Sequence, residues 1–313
     1  MKETLTTPAF MAIRRQISIL TGIGLCLLAL FVASGCRIRR TIKTKVPEKI
    51  LQAKTATLDE LLKLIQSYDK INCLSTSLEV TYYSGKKESG VIQEIRKQPG
   101  YILLKRPNFT HLVVQNFVTK TRELELLSVE DDLSLWIRRG NKLYLGKNST
   151  RELIAEDEPG SSEFTVPVRG GHVFEAIFPQ SIIIDASETR YSLEEASDIE
   201  AKYYVLGFYS EGSGQRIYTT RKLWIERSSL TIARQQIYQN EGQILSDITY
   251  SNPILVDGFH LPLKMHIDRP LDGYALDMEF KSWRTNPDLA DNAFVLTPPE
   301  GAQIIQLIEK KAF

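Results

Sequence analysis

Hydrophobic and polar residues alternate along much of the second half of the chain. In the stretch LPLKMHIDR, Leu263, Met265 and Ile267 are separated by the polar residues Lys264 and His266. The same spacing recurs in the next stretch, YALDMEFKSW, at Leu276, Met278 and Phe280. Successive side chains of a β-strand point to opposite faces of a sheet, so this period predicts strands with one apolar face and one hydrated face.

Other segments of strand character follow one another at short spacing. They are YYVLGFYS, RKLWIER, IARQQIYQ and ILSDITYS in the second half, and LEVTYYS, LSLWIRR and LYLG in the first half. Turn signals such as NEGQ, SNPILVDG and RPLDG separate them. About ten strands and few helices predict a mainly β fold, in which one antiparallel sheet curves into a half-barrel.

Two segments depart from this period and predict helices. The leucines and isoleucine of TLDELLKLIQSYDKI fall near helical spacing, and Thr57 with Glu60 fits a capping box, so we expect a helix over residues 57–70. The segment HVFEAIFPQSI predicts a short helix that ends near Pro179. Two short helices are a small cover for the apolar face of so large a sheet.

A face that is only partly covered leaves room for an apolar cavity or groove, and we expect the inward side chains of the strands to line it. An ordinary filled core is the alternative for each of them. Met suits a pocket for variable chains because it is soft and adaptable. The candidate lining residues are Leu78, Val80, Tyr82, Leu135, Ile137, Leu223, Ile225, Ile248, Leu263, Met265, Ile267, Leu276, Met278 and Phe280.

The start of the chain predicts an export signal. Arg14 and Arg15 precede an apolar run over residues 17–32, which is short for a membrane span, and small residues follow it. The sequence Ala-Ser-Gly-Cys that ends at Cys36 resembles the bacterial lipobox. This resemblance implies cleavage before Cys36 and attachment of diacylglycerol, with fatty acids such as palmitate, to the new N-terminus. A plain anchor helix with a chance cysteine is the alternative.

The segment after Cys36 is basic and lacks periodicity, so residues 36–56 are interpreted as a tether between a signal peptide over residues 1–35 and one domain over residues 57–313. The lysine and arginine side chains of this tether are expected to be attracted to anionic lipid headgroups. The residue after the cysteine is Arg37, whereas an Asp there favours retention in the inner membrane of proteobacteria. We therefore expect the cell envelope as location, with the anchor in the outer membrane and the domain facing the periplasm.

Net charge and cysteine content argue against nucleic acid as a partner and against disulfide bonds within the mature chain. The formal net charge is +1, and removal of the signal takes it to −1, because the signal carries three basic residues and one acidic residue. A chain with so small a net charge lacks the positive electrostatic potential that attracts nucleic acid. Of the three cysteines, Cys26 leaves with the signal and Cys36 would carry lipid, which leaves Cys73 without an intramolecular partner.

Motifs of catalysis and metal binding are missing from the sequence. The histidines are scattered, and no HExxH, GxSxG or phosphate-binding glycine motif occurs after the signal. Glu130, Asp131 and Asp132 cluster in an apparent turn, where solvated loop acids are the expected interpretation. The sequence therefore predicts a protein that is not an enzyme and uses neither a cofactor nor a metal.

A series of turn and apolar residues runs through LWIERSSLTIARQQIYQNEGQILSDITYSNPILVDGFHLPLKMHI and closes in NPDLADNAFVLTPPEGAQII, and the earlier SVEDDLSLWIRRGNKLYLG adds a strand-turn-strand with a Trp. It resembles the outer-membrane lipoprotein carrier and sorting proteins of the LolA/LolB-like group, loosely and over most of residues 57–310. The resemblance lies in Trp224, Glu226, Thr231, Arg234, Gly242, Asp257, Gly258, Leu261, Pro262, Asn286, Phe294, Pro298, Pro299 and Gly301.

The resemblance implies a half-open antiparallel barrel with a helical lid that holds acyl chains, and the lipobox matches the membrane-anchored type. The expected function is therefore that of an anchored lipoprotein that binds the acyl chains of a lipid or lipoprotein in an apolar cavity, within envelope lipid or lipoprotein trafficking. Its expected partners are those chains, the membrane through Cys36, and an envelope protein. The alternative is a non-catalytic scaffold or assembly lipoprotein.

Overall fold

The computed structural model describes residues 52–84, 93–149, 153–155, 168–178, 189–199, 201–212, 216–239, 242–290 and 292–309. Those residues fall within a compact unit that spans Lys49–Phe313. The predicted signal peptide, Cys36 and most of the tether lie outside the described residues. Neither helix in the described part has the length and hydrophobicity required of a membrane-spanning helix.

Both predicted helices are present. Helix α1 (Leu58–Ser67) continues into a 3-10 turn (Tyr68–Lys70). Its capping box is formed, since the Thr57 hydroxyl accepts from the Glu60 amide at 3.3 Å and the Glu60 carboxylate accepts from the Thr57 amide at 2.7 Å. Helix α2 (Gly170–Ile177) ends just before Pro179. These ends follow from local chemistry, which is why the sequence predicted them.

The rest of the described chain is mainly strand. The strands are β1 (Cys73–Ser84), β2 (Gln93–Lys105), β3 (Phe109–Gln115), β4 (Arg122–Val129), β5 (Asp132–Ile137), β6 (Lys142–Lys147), β7 (Leu153–Ala155), β8 (Thr189–Ser197), β9 (Lys202–Glu211), β10 (Ile217–Glu226), β11 (Thr231–Tyr238), β12 (Ile244–Val256), β13 (Phe259–Arg269), β14 (Tyr274–Thr285) and β15 (Gln303–Glu309).

These fifteen strands form one open sheet in the order β7-β15-β6-β5-β4-β3-β2-β1-β14-β13-β12-β11-β10-β9-β8. Strands β1–β6 and β8–β14 are two antiparallel meanders, joined where β1 pairs with β14. Strand β15 runs parallel to β6. The predicted mainly β fold, an open curled antiparallel sheet with a short helical cover, is confirmed. It has more strands than the expected ten because several carry no clean alternation.

One face of the sheet, called here the inner face, carries both helices. A row of directly opposed residues defines it across six strands: Leu223, Gln235, Ile248, Ile267, Leu276 and Tyr82. Leu61 and Ile65 of α1 pack with Leu206 and Leu223 of the sheet, and we call this set the α1 cluster. A larger central cluster extends, in the order of the sheet, from β11 through β14, β1 and β6 to β15, and it includes helix α2. Burial of this face supplies the main drive for folding.

The opposite, outer face is hydrated at β13 and β14 but covered at β3–β6. Residues 292–302 run along it, where Phe294 meets Phe109 with ring centroids 5.6 Å apart and Asn141 donates to the Glu300 carbonyl at 3.1 Å. Val113 and Trp136 are therefore buried although they point away from the inner face. Strands covered on both faces lose the alternating pattern.

Beneath this covering segment lies a buried ionic cluster. Glu125 bonds Nε2 of His111 at 2.8 Å and also bonds Arg122. Nδ1 of His111 lies 2.7 Å from the carbonyl oxygen of Ala293. Both ring nitrogens of His111 therefore have an oxygen partner. The cluster joins β3 and β4 to the covering segment through Ala293.

Candidate functional site

Helix α2 lies on the inner face and presents an apolar surface to it. Val173, Phe174, Ala176 and Ile177 are buried, and so is Phe178, which ends the helix. The rings of Phe174 and Phe178 lie 4.7 Å apart, centroid to centroid. The helix contacts β3 and β4 and belongs to the central cluster. These side chains occupy the middle of the inner face.

The structure brings most of the predicted lining residues together on that face. Tyr82 and Ile137 are half-buried and pack against the central cluster. Leu223 and Ile225 belong to the neighbouring α1 cluster. Leu263 is half-buried and belongs to neither cluster. The predicted residues that form part of the central cluster are Leu78, Val80, Leu135, Ile248, Met265, Ile267, Leu276, Met278 and Phe280. Whether they line a ligand cavity stays a prediction.

Polar bonds from three separate strands hold helix α2 in place. Thr110 on β3 donates to the carbonyl of Gly170 at 3.0 Å. Tyr250 on β12 donates to the carbonyl of Ala176 at 2.7 Å. Arg221 on β10 donates to the carboxylate of Glu175, also at 2.7 Å. Both ends of the short helix are thus attached to the sheet by specific bonds as well as by apolar contact.

A cluster of polar side chains around His172 fixes the first turn of helix α2. Nδ1 of His172 lies 2.9 Å from the Tyr274 hydroxyl, and Nε2 lies 3.0 Å from Nη2 of Arg269. Arg269 also bonds Asp272 at 2.7 Å. Burial, reinforced by Arg269 and Arg169, lowers the pKa of His172 well below its ordinary 6.5. His172 is therefore neutral at pH 7. The sequence showed this residue only as one of four scattered histidines.

The outer face of β12–β14, β1 and β2 carries a hydrated depression of about 400 Å³. Lys97 bridges Glu79 at 2.8 Å and Glu279 at 2.7 Å. His266 bonds Asp277 at 2.6 Å. Hydrogen bonds from Lys281 and Lys97 lower the pKa of Glu79 to about 2. This depression is charged and solvated, so it does not suit an acyl chain. In the described residues, no group of three or more His, Cys, Asp or Glu is placed to hold a metal ion.

An exposed apolar turn joins β3 and β4, and no pattern in the sequence predicts it. Phe117 is 66% exposed and Val118 is 82% exposed. The side chain of Asn116 accepts from the amides of Val118 and Thr119, which fixes the turn. Lys120 lies over the ring of Phe117 at 5.0 Å. The turn thus presents two hydrophobic side chains and a cation to the surroundings.

The first two residues of helix α2 allow a matched test of how closely it packs. A Cβ at Gly170 would lie 2.5 Å from Cβ of Ser128, whereas the nearest atom to a Cβ at Gly171 is 3.7 Å away. We expect Gly170→Ala to lower the free energy of unfolding by about 1–3 kcal/mol through overpacking. Gly171→Ala should leave it unchanged or raise it by up to about 1 kcal/mol. Chemical denaturation measures both, and equal effects would contradict the close approach of Gly170.

Comparison with known proteins gives matches among solved structures only. No family model and no curated protein sequence matches the chain. A DUF1329 family protein from Desulfovibrio piger is 14% identical with a TM-score of 0.49, over 80% of this chain and 100% of that chain. A LolA superfamily protein from Nitrosomonas europaea is 14% identical with a TM-score of 0.46, over 77% of this chain and 99% of that chain.

A third solved structure is a domain described as an outer membrane lipoprotein-sorting protein from Vibrio parahaemolyticus. It is 14% identical to this chain, with a TM-score of 0.45, and the match covers 75% of this chain and 95% of that domain. All three likenesses therefore extend over nearly the whole of the solved chain and over three quarters or more of this one.

Proposed function

We propose that this chain is an exported, non-catalytic lipoprotein, anchored to the outer membrane through Cys36, that binds the acyl chains of a lipid or lipoprotein on the inner face of its sheet. One observation carries the proposal. A continuous apolar face spans the sheet from β11 to β15, and an eight-residue helix covers its middle. The resemblance of the turn pattern to the LolA/LolB-like group supports it.

Hydrophobic burial can supply the binding energy. Each methylene removed from water contributes roughly 0.8 kcal/mol, so ten of them contribute about 8 kcal/mol before the cost of association. Binding requires helix α2 to move, because Phe174, Ile177 and Phe178 occupy the surface that the acyl chain would take. Displacement of so short a helix exposes the row of side chains beneath it without breaking the sheet.

The anchor and the exposed turn would bring this face close to lipid. A diacylglyceryl cysteine carries enough acyl chain for stable attachment, and the basic tether adds attraction to anionic headgroups. Phe117 and Val118 suit contact with a membrane surface, since an aromatic and an aliphatic side chain beside a lysine match the boundary between headgroups and acyl chains. The proposed location is the periplasmic side of the outer membrane.

A scaffold lipoprotein is the second candidate, and the packing of the central cluster favours it. Ile248, Ile267 and Met278 are completely buried by their neighbours. A permanently filled inner face would leave the surface, including the outer-face depression, as the working part for an envelope protein partner. The two candidates differ in whether helix α2 must leave the sheet.

A disulfide that locks helix α2 separates the two candidates. A Cβ at Gly171 lies 3.8 Å from Cβ of Asn148, which matches the usual separation of about 3.8 Å in disulfides. The test protein is the chain from residue 36 onward with Cys36→Ser and Cys73→Ser, to which Asn148→Cys and Gly171→Cys are added. Native mass spectrometry detects lipid that co-purifies from the envelope, and a fluorescent fatty acid reports uptake.

For acyl binding, we expect stoichiometric lipid or acylated peptide on the unlocked protein, no uptake by the oxidised double-cysteine variant, and recovery after reduction. The Gly171→Cys single variant is the matched control and should bind in both redox states. An unlocked protein that carries no lipid and takes up no fatty acid would overturn the proposal in favour of the scaffold.

A further inference from the structure

The protons on His172 determine how helix α2 is attached to the sheet. The guanidinium of Arg269 can only donate, so Nε2 of His172 must accept and therefore carries no proton. The single proton of the neutral ring lies on Nδ1, which donates to the hydroxyl of Tyr274. The imidazole ring stacks on that tyrosine with an interplanar angle of 16°. The docked geometry thus admits one tautomer and excludes the charged ring.

The groups that surround His172 in the described residues give a second proton no partner. Arg269 closes the end of β13, and Arg169 immediately precedes the helix; both are cations and both are at least 94% buried. The carboxylate of Asp272, in the turn after β13, bonds Arg269 rather than the histidine. The phenols of Tyr274 on β14 and Tyr82 on β1 have ring centroids 6.2 Å apart. Glu175, three residues further along the helix, pairs with Arg221 instead.

A proton on Nε2 would break this arrangement. The N–H of the protonated ring would then face the N–H of Arg269 across 3.0 Å, and the two positive charges would repel each other. The ring must then leave its site. The C-terminal half of the helix keeps its bonds to Tyr250 and Arg221, so it can act as the pivot. The side that lifts is the one over β13 and β14, where six of the fourteen predicted lining residues lie.

We propose that helix α2 is an acid-released cover: protonation of His172 detaches its first turn from Arg269 and Tyr274 and opens the inner face. Release of the helix is independent of what the face binds. The consequence, that acid favours loading or unloading of acyl chains, rests on the proposed function.

The direction and size of the effect follow from linkage. In the docked state the pKa of His172 is depressed, and in the released state it returns to about 6.5. The released state therefore binds more protons, and docking is weakened progressively as the pH falls below about 6.5. Between pH 7.5 and pH 5.5 the opening constant of the helix should rise about tenfold.

Hydrogen exchange on the full-length protein in detergent micelles tests the proposal. The opening constants of the amides in helix α2, corrected for intrinsic exchange, should rise about tenfold from pH 7.5 to pH 5.5 in the wild type. His172→Gln, which keeps an acceptor for Arg269, should remove this dependence. His266→Gln, on the outer face, is the matched control and should retain it. A wild type without the rise, or a His172→Gln variant that keeps it, overturns the proposal.

A measurement on the wild type guards against a variant that fails to fold. Nitrogen chemical shifts of the His172 ring should report a neutral Nδ1–H tautomer at pH 7.5, and an imidazolium in the docked helix would refute the mechanism. Fatty-acid uptake at the two pH values is a separate readout. Acid-dependent opening without any uptake would refute acyl binding and leave the release of the helix standing.

Discussion

Replacement of Glu125 by alanine is expected to lower the free energy of unfolding by about 3–5 kcal/mol. The Glu125 side chain is 5% exposed and bonds Nε2 of His111, whose side chain is 9% exposed. Without the carboxylate, Nε2 of His111 stays buried with no acceptor, and a buried polar group without a partner is strongly destabilising. The loss should reach the covering segment as well, because the same ring bonds Ala293.

Chemical denaturation of the wild type, Glu125→Ala and Glu125→Gln measures the effect. The glutamine keeps the shape and one oxygen acceptor, so its loss should be smaller. Glu79→Ala is the matched control, since Glu79 bonds two lysines at 2.8 Å but lies on the hydrated outer face, and its loss should cost at most about 1 kcal/mol. Equal losses at Glu79 and Glu125 would show that burial of the cluster does not matter.

Replacement of Cys36 by alanine is expected to remove all fatty-acid label from the protein and to block processing of the signal. The proposed acceptor of diacylglycerol is the thiol of this residue, and no other side chain can replace it. Metabolic labelling with an alkynyl palmitate, followed by the mass of the N-terminal peptide, measures both effects. In the wild type the mature chain should begin at residue 36 and carry the label.

Cys73→Ala is the control, because Cys73 is a half-buried cysteine on β1 and should not be acylated. Its variant should keep the full label and the processed N-terminus. Label that persists in Cys36→Ala would contradict the lipobox interpretation. An uncleaved, unlabelled wild type that still sediments with membranes would instead support a plain anchor helix.

Local sequence was enough to predict which residues share the inner face. The alternation of Leu276, Met278 and Phe280 with polar neighbours reappears in the burial pattern of β14, because the face of a strand residue depends only on its parity. The capping box of α1 was equally local. Leu263 is an exception to this parity rule. Its neighbours Pro262 and Lys264 both pair with residues of β12, yet the side chain of Leu263 is only half-buried.

Features that depend on distant contacts were beyond the sequence. Strand β3 shows no alternation because residues 292–302 cover its outer face, and nothing in FTHLVVQ indicates that cover. The site of His172 is assembled from Arg269 and Tyr274, which lie 97 and 102 positions further along the chain. The exposed pair Phe117 and Val118 was missed because solvent exposure of a turn residue leaves no periodic signal.

The order of the strands also has a consequence for how quickly the chain can fold. Within each meander every strand pairs with its neighbour in sequence, so each meander can form quickly through local contacts. The seam between β1 and β14 joins residues about 200 positions apart, and closing so long a loop is slow. The two meanders should therefore form first and dock last, and before docking each exposes an unpaired β1 or β14 edge that another copy of the chain could occupy.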